Sequence, residues 1–228
     1  MSTVAWQPTG AELWGSVRRV FGPRPYERSR VLEEAEQARA KGRRKKAVSG
    51  YREILQHEPE DAAVHGKLAP LLVDDEPWSA WLSFEKAAQA HLAKGFVDRA
   101  IAVYRQAAEA LPFLPEAWEQ VSGLQLQRGR RADAVKALLD GQHFFWRKKS
   151  DAPTLVRLLK KAVELDPLAV EPSVALARAL RRANQRAEAL ALLDGLLPKV
   201  EKPQRRRVLR ARLAVAPGLG AVWAWLRG

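Results

Sequence analysis

The residues of this chain best suited to chemistry are its histidines and one short run of carboxylates. The histidines are His57, His65, His91 and His143. They lie far apart, so no two stand at the spacing that places two metal ligands on one helical face. The carboxylate run, Asp74 to Glu76, is too small for a hard cation that needs about six oxygen ligands, and we expect it to lie in a loop, with Asp75 or Glu76 capping the next helix.

Other catalytic signatures are missing from the sequence. It contains no glycine-rich phosphate loop, no nucleophile elbow and no pair of carboxylates arranged for acid–base work. The sequence therefore predicts a protein that is not an enzyme and that carries no metal and no cofactor. The absence of cysteine excludes disulfides and thiolate metal sites, and favours a reducing cytoplasm.

The charge of the chain is strongly positive but uneven. The net charge is +13, residues 61–120 carry −4, and residues 181–228 carry +8. Such a charge fits a polyanionic or acidic partner, and it also fits neutral surface positions filled with arginine by a GC-rich genome. The cations cluster at predicted turns and on the last proline-ended helix. These candidate residues, named the basic edge, are Arg43, Arg44, Lys45, Lys46, Arg130, Arg131, Arg205, Arg206 and Arg207.

Only one stretch interleaves aromatic residues with cations, as a nucleic-acid platform would. It is HFFWRKK, from His143 to Lys149. Nucleic-acid binding proteins stack bases on such aromatics. Because the stretch follows a long predicted helix, we expect its aromatics to pack against the next helix instead. Binding of RNA or DNA through the basic C-terminal quarter stays open as the alternative function.

The elements that must position these residues repeat along the chain. Four amphipathic segments end at Pro59, Pro112, Pro167 and Pro217, which are 53, 55 and 50 residues apart. Proline pushes the preceding residue out of the helical region, so each segment is expected to stop there. Two further helix-like segments follow each of the first three prolines. The repeating unit is therefore predicted to contain three helices.

The hydrophobic pattern favours helices throughout. In FVDRAIAVYRQAAEAL, apolar residues recur three or four positions apart, at Ala100, Tyr104, Ala107 and Leu111. No segment alternates with a period of two, so we predict an all-α fold. Small residues at matched places allow close helix approach beside a bulky neighbour. The small residues are Ala47, Ala100 and Ala134, and the bulky ones are Tyr51, Tyr104 and Trp118.

These residues resemble the tetratricopeptide repeat (TPR) pattern. Residues 81–114 match it with Phe84, Ala88, Gly95, Ala100, Tyr104, Ala107 and Pro112. Residues 28–61 match it with Val31, Ala35, Gly42, Ala47, Tyr51 and Pro59. Residues 115–148 keep Trp118, Gly129 and Ala134 but have Trp146 in place of proline. Residues 168–201 keep Ala175 and Ala187 but lack the glycine.

The resemblance implies a superhelical α-solenoid of stacked antiparallel helix pairs, here with additional helices, and a bacterial-type adaptor or scaffold that binds a protein or peptide. It also implies that first helices line a concave groove. The groove residues it selects are Ser29, Leu32, Glu36, Arg39, Leu82, Glu85, Gln89, Leu92, Glu116, Glu119 and Leu126. Arg39 is the only cation of this set. Leu32 and Glu36 stand where a receptor for chaperone tails would carry cations, which argues against that class.

Three regions are expected along the chain. Residues 1–27 are a capping or amphipathic segment with Leu13, Val17 and Phe21 on one face, residues 28–201 are the repeat domain, and residues 202–228 are capping helices. Docking of the first segment on a membrane surface or a partner is the alternative. Neither an export signal nor a membrane-spanning run is expected.

Overall fold

The structure is a computed structural model, and it describes residues 26–147 and 151–218. Within those ranges the chain forms eleven α-helices, one 3-10 turn and no strand. The α-helices are α1 Arg28–Ala40, α2 Arg44–His57, α3 Ala62–Leu72, α4 Pro77–Ala93, α5 Val97–Ala110, α6 Pro115–Gln127, α7 Arg131–Phe145, α8 Ala152–Leu165, α9 Val170–Arg182, α10 Arg186–Leu196 and α11 Lys202–Val215, and the 3-10 turn is Leu197–Lys199. The predicted all-α class is confirmed.

The chain divides into two compact units, one ending at His57 and the other beginning at Glu58. The first unit contains the helix pair α1 and α2. Tyr51 and Ile54 of α2 are fully buried, together with Ala35 of α1. The two helices approach closely at Gly50, where a Cβ would lie 2.9 Å from the Cβ of Ala35. A side chain at this position would push the pair apart.

In the second unit each helix packs against the next one along the chain, from α3 to α10, and α11 packs on both α9 and α10. This succession of hairpins is the α-solenoid arrangement. The apolar face of each helix is buried, at residues that include Phe84, Tyr104, Leu138, Leu155 and Leu193. A single pair could not bury these residues by itself, so the stacking follows from the amphipathic pattern.

The same type of turn joins the two helices of four pairs. Gly42, Gly95, Gly129 and Asn184 each follow a first helix by two residues and have positive φ, between 64° and 75°. In each turn the next N–H returns to a carbonyl near the helix end, as in Gln185 N to Leu180 O at 2.8 Å and Phe96 N to His91 O at 2.9 Å. This is the Schellman arrangement. The pairs are α1 with α2, α4 with α5, α6 with α7, and α9 with α10.

Asn184 corrects the prediction for the last pair. The glycine is not simply missing, because asparagine takes its left-handed place. When the repeat pattern is aligned on Asn184, its two positions for small residues fall two residues later than predicted, at Ala177 and Ala189. Both of these residues are fully buried. Ala175 is half-buried and Ala187 is exposed, so assigning these two residues to the small positions was wrong.

The proline-ended helices are confirmed. Helices α2, α5, α8 and α11 each end two residues before their proline, and two helices follow each of the first three. Pro70 lies inside α3 and does not end it. Helices α3 and α8 are the additional helices that interrupt a plain succession of pairs.

Two terminal predictions lie outside the described residues. These are the helical face of Leu13, Val17 and Phe21, and the tail that contains Trp223 and Trp225. Of the predicted C-terminal cap, α11 is described. Among the described helices, none combines the length and the apolar character needed to cross a bilayer.

Candidate binding surfaces

His57, His65 and Glu76 are each engaged with nearby groups. His65 Nε2 lies 2.9 Å from Pro59 O, and the His57 ring stacks on Tyr26 with centroids 3.8 Å apart. Glu76 occupies the N-cap position of α4, but its carboxylate accepts a bond from Ser79 Oγ rather than from a backbone N–H. In the described part of the chain, no three metal-ligating side chains gather.

The predicted groove residues all lie on first helices of pairs, four in the first unit and seven in the second. Leu32, Glu36, Glu85, Leu92 and Glu119 are half-buried. Ser29, Arg39, Leu82, Gln89, Glu116 and Leu126 are exposed. Within the first unit, Arg39 Nη2 lies 3.6 Å from Glu36 Oε2. This ion pair joins two residues one helical turn apart, and both side chains remain accessible to solvent. It therefore contributes little stability.

Helix α8 changes the electrostatics beside α6. Arg157 of α8 contacts Glu116 at 3.2 Å and Glu119 at 3.1 Å, and Lys161 bonds to Glu119. Two cations from outside the predicted groove set therefore lie beside these carboxylates. The sequence pattern placed the carboxylates on α6 but could not show that an additional helix would pack beside them. Next to these ion pairs, Leu126 and Leu165 line a cavity of about 330 Å³.

The basic-edge residues are distributed over both units. Arg43 to Lys46 lie in the turn between α1 and α2 and in the first turn of α2. Arg130 is already engaged, since its Nη1 lies 3.6 Å from Asp98 Oδ1, beside Arg128 at 3.0 Å from the same carboxylate. Arg131 and the three residues Arg205 to Arg207 are exposed. The basic-edge residues therefore differ in their accessibility and in whether they already form an ion pair.

A large cavity of the second unit was not predicted from the sequence. This surface, named the α5–α7 groove, has a volume of about 800 Å³ and runs between α5 and α7 with α6 as its floor. Ile101, Val121 and Trp118 supply the apolar floor, and Ala102 and Ala137 leave it open. The walls of the groove are second helices, whereas the family resemblance selects surfaces of first helices only.

Gln125 of α6 carries a buried acceptor that has no hydrogen-bond partner among the described residues. Its side chain lines the groove with only 3% of its surface exposed, and its Oε1 has no hydrogen-bond partner among the described residues. Trp118, by contrast, donates from Nε1 to Pro112 O at 3.3 Å. A buried carbonyl without a donor costs about 1–3 kcal/mol.

The rim of the α5–α7 groove carries exposed charges of both signs. They are Arg105 and Glu109 from α5 and Asp133, Lys136 and Asp140 from α7. Within the described ranges none of the five takes part in an ion pair. A groove with an apolar floor and mixed free charges on its rim suits a polypeptide better than a uniformly charged polymer.

The HFFWRKK stretch separates into buried and accessible rings. Phe145 is 4% exposed and belongs to the core, as expected for aromatics that pack against the next helix. Trp146 is half-buried and occupies the end of α7, with the Arg182 guanidinium 6.0 Å from its ring centroid. Trp146 therefore borders the surface, close to the basic C-terminal helices.

The turns and pairs described above define the fold class. The chain folds as a TPR-like all-α array of helix pairs. No protein-family model matches the chain, and no curated protein matches it.

Solved structures resemble it over much of its length at low identity. MamA is 14% identical over 85% of this chain and 91% of its own, with a TM-score of 0.28. A thermophilic TPR protein of Thermus thermophilus is 20% identical over 82% of this chain and 100% of its own, with a TM-score of 0.24. Yeast Tom70 is 14% identical over 74% of this chain and 42% of its own, with a TM-score of 0.26.

Proposed function

We propose that this chain is a non-catalytic protein-interaction module, an adaptor or assembly scaffold that binds a polypeptide segment of a partner. The observation that carries the proposal is the α5–α7 groove, whose floor is apolar and whose rim carries exposed charges of both signs that form no ion pair among the described residues. The groove is large enough for several residues of a bound chain. A cytoplasmic location belongs to the same proposal, because the sequence has no cysteine.

The chemistry of the groove suits a polypeptide ligand. Apolar side chains of the bound segment can cover the apolar floor at Trp118. Free charges on both walls can then pair with a partner that carries both signs, which favours specificity and correct register. The predicted first-helix groove and basic edge remain proposed secondary surfaces of the same module.

Filling the groove tests this proposal. Ala102 is exposed and lines the groove from α5, so Ala102→Trp adds bulk there without opening the core. Ala132 is also exposed, lies on α7 outside the groove lining, and makes Ala132→Trp the matched control. Peptides selected on the wild-type protein from a random display library are titrated against each variant by fluorescence anisotropy.

We expect Ala102→Trp to lower the affinity for the selected peptides at least about tenfold. Ala132→Trp should change that affinity less than about twofold. Equal binding to both variants, or a library that yields no binder, would remove the groove as the functional surface. The alternative function is binding of RNA or DNA through the basic C-terminal quarter, and a labelled single-stranded RNA separates it from protein binding.

A further inference from the structure

A further cavity of the second unit gathers arginines that have no partner among the described residues. It has a volume of about 310 Å³ and lies between the end of α7, α9 and α11. We name it the arginine cavity after Arg178 of α9 and Arg207 and Arg210 of α11. Val174 and Ala175 contribute apolar surface to its lining, and Gln142 contributes an amide.

The three arginines differ from neighbouring arginines because they form no hydrogen bond or ion pair with the described residues. Arg181 donates to Ala214 O at 2.6 Å, and Arg212 Nε lies 2.6 Å from Asp194 Oδ1. Arg178, Arg207 and Arg210 are exposed, and the described part of the chain offers them no hydrogen bond and no ion pair. Helices α9 and α11 thus use some arginines for their own packing and direct three others into one cavity.

The charge in this cavity is not balanced from within. Glu171 is the single carboxylate in the lining, against three guanidinium groups and the imidazole of His143. Like charges close together repel one another, and a bound anion would relieve that repulsion. Trp146 adds a half-buried aromatic wall next to them.

We propose that the arginine cavity is the binding site for a carboxylate-rich segment of a partner protein. Arginine presents two parallel N–H donors that match the two oxygens of an Asp or Glu side chain. Trp146 and Val174 offer apolar contact to a hydrophobic residue of the same segment. The inference rests on the proposed function, because it assumes a protein partner, but it concerns a different surface from the α5–α7 groove.

Several features favour an acidic polypeptide over a nucleic acid. The free arginines meet in one cavity that accommodates only a few side chains, whereas a phosphate backbone needs cations along a track. Arg205 and Arg206 lie on the same helix but outside the lining. Arg182 already lies over the Trp146 ring on which a base would stack.

The test compares two pairs of arginines on one helix. Arg207→Gln with Arg210→Gln removes two charges from the cavity, and Arg205→Gln with Arg206→Gln removes two exposed charges outside it. The probe is a short fluorescein-labelled peptide of Asp and Glu with one central Phe. Its controls are the same peptide with Asn and Gln, and a labelled single-stranded RNA of mixed sequence.

We expect the acidic peptide to bind at about 0.15 M ionic strength and to lose about tenfold in affinity in the cavity variant, against less than about twofold in the control variant. Arg178→Gln, on a different helix, should weaken binding as well. The amide peptide should not bind. Circular dichroism of each variant shows that the fold is kept.

Three results would overturn the inference. They are absence of acidic-peptide binding, equal losses in the two double variants, and RNA binding that is tighter than peptide binding and is lost in the cavity variant. The last result would assign the cavity to nucleic acid. Failure here leaves the Ala102→Trp experiment unaffected, because the two surfaces share no lining residue.

Discussion

The buried phenol of Tyr104 makes the stability of the fold depend on pH. Its ring is 1% exposed and lies 6.0 Å from the ring of Trp81. Burial, with a smaller contribution from the Glu85 carboxylate, raises the pKa of the Tyr104 phenol from 10.0 to about 12. Burial and Glu36 also raise the pKa of Tyr51. Both effects favour the neutral phenol in the folded state.

We predict that the free energy of unfolding falls in alkali, where the Tyr104 phenol ionises. The unfolded chain releases the Tyr104 proton near pH 10 and the folded chain retains it to about pH 12, so the contribution is present below pH 10 and is lost as pH rises toward 12. Urea unfolding of wild type and Tyr104→Phe from about pH 9 to about pH 11.5 measures the loss. The wild-type stability should fall more steeply. Parallel pH dependences would contradict the buried, neutral phenol.

At the scale of the elements, the turn between α9 and α10 depends on the one asparagine with positive φ among the described residues. Asn184→Ala should lower the free energy of unfolding by about 1–2 kcal/mol, because a Cβ residue without a local polar group is strained in the left-handed region. Asn184→Gly should leave it unchanged or raise it slightly.

The neighbouring residue provides the control for that turn. Gln185 has a φ of −98° and makes no capping hydrogen bond through its side chain, so Gln185→Ala should leave the unfolding midpoint in place. Chemical denaturation followed by circular dichroism measures all three variants. Equal midpoints for Asn184→Ala and Asn184→Gly would show that the turn does not control the pair.

Helices and their ends were predictable because local rules determine them. The spacing of Ala100, Tyr104 and Ala107 is enough to identify α5 and its buried face, and Pro112 is enough to place its end. The turn at Asn184 was missed because asparagine visits the left-handed region less regularly than glycine does. A search for Asn as well as Gly at that repeat position would have found it and corrected the register.

Surfaces built from distant helices were not predictable. Trp146 and Arg207 meet in one cavity, yet nothing in the periodicity of α7 or α11 indicates which helices become neighbours. The same reason explains why the pairing of Glu116 with Arg157 and the α5–α7 groove escaped the sequence analysis. Periodicity shows which face of a helix is buried, and the choice of packing partner depends on the whole array.

At the scale of the whole molecule, the division after His57 predicts unequal folding of two fragments. The helices α1 and α2 have 13 and 14 residues, lengths at which isolated helices in water are marginal, and a single pair buries little surface. The second unit contains its own core, in which residues from Val135 to Val215 are buried together. We therefore expect residues 58–228 to fold alone and residues 1–57 not to.

Far-UV circular dichroism and urea unfolding of the two fragments measure this difference. The 58–228 fragment should show a strongly helical spectrum and a cooperative transition, whereas the 1–57 fragment should show weak helicity that fades gradually with denaturant. The physical reason is cooperativity, since each helix of the larger unit is stabilised by burying its apolar face against the next one. A cooperative transition in the short fragment, or its absence in the long one, would mean that the division after His57 does not separate an independently stable unit from a dependent one.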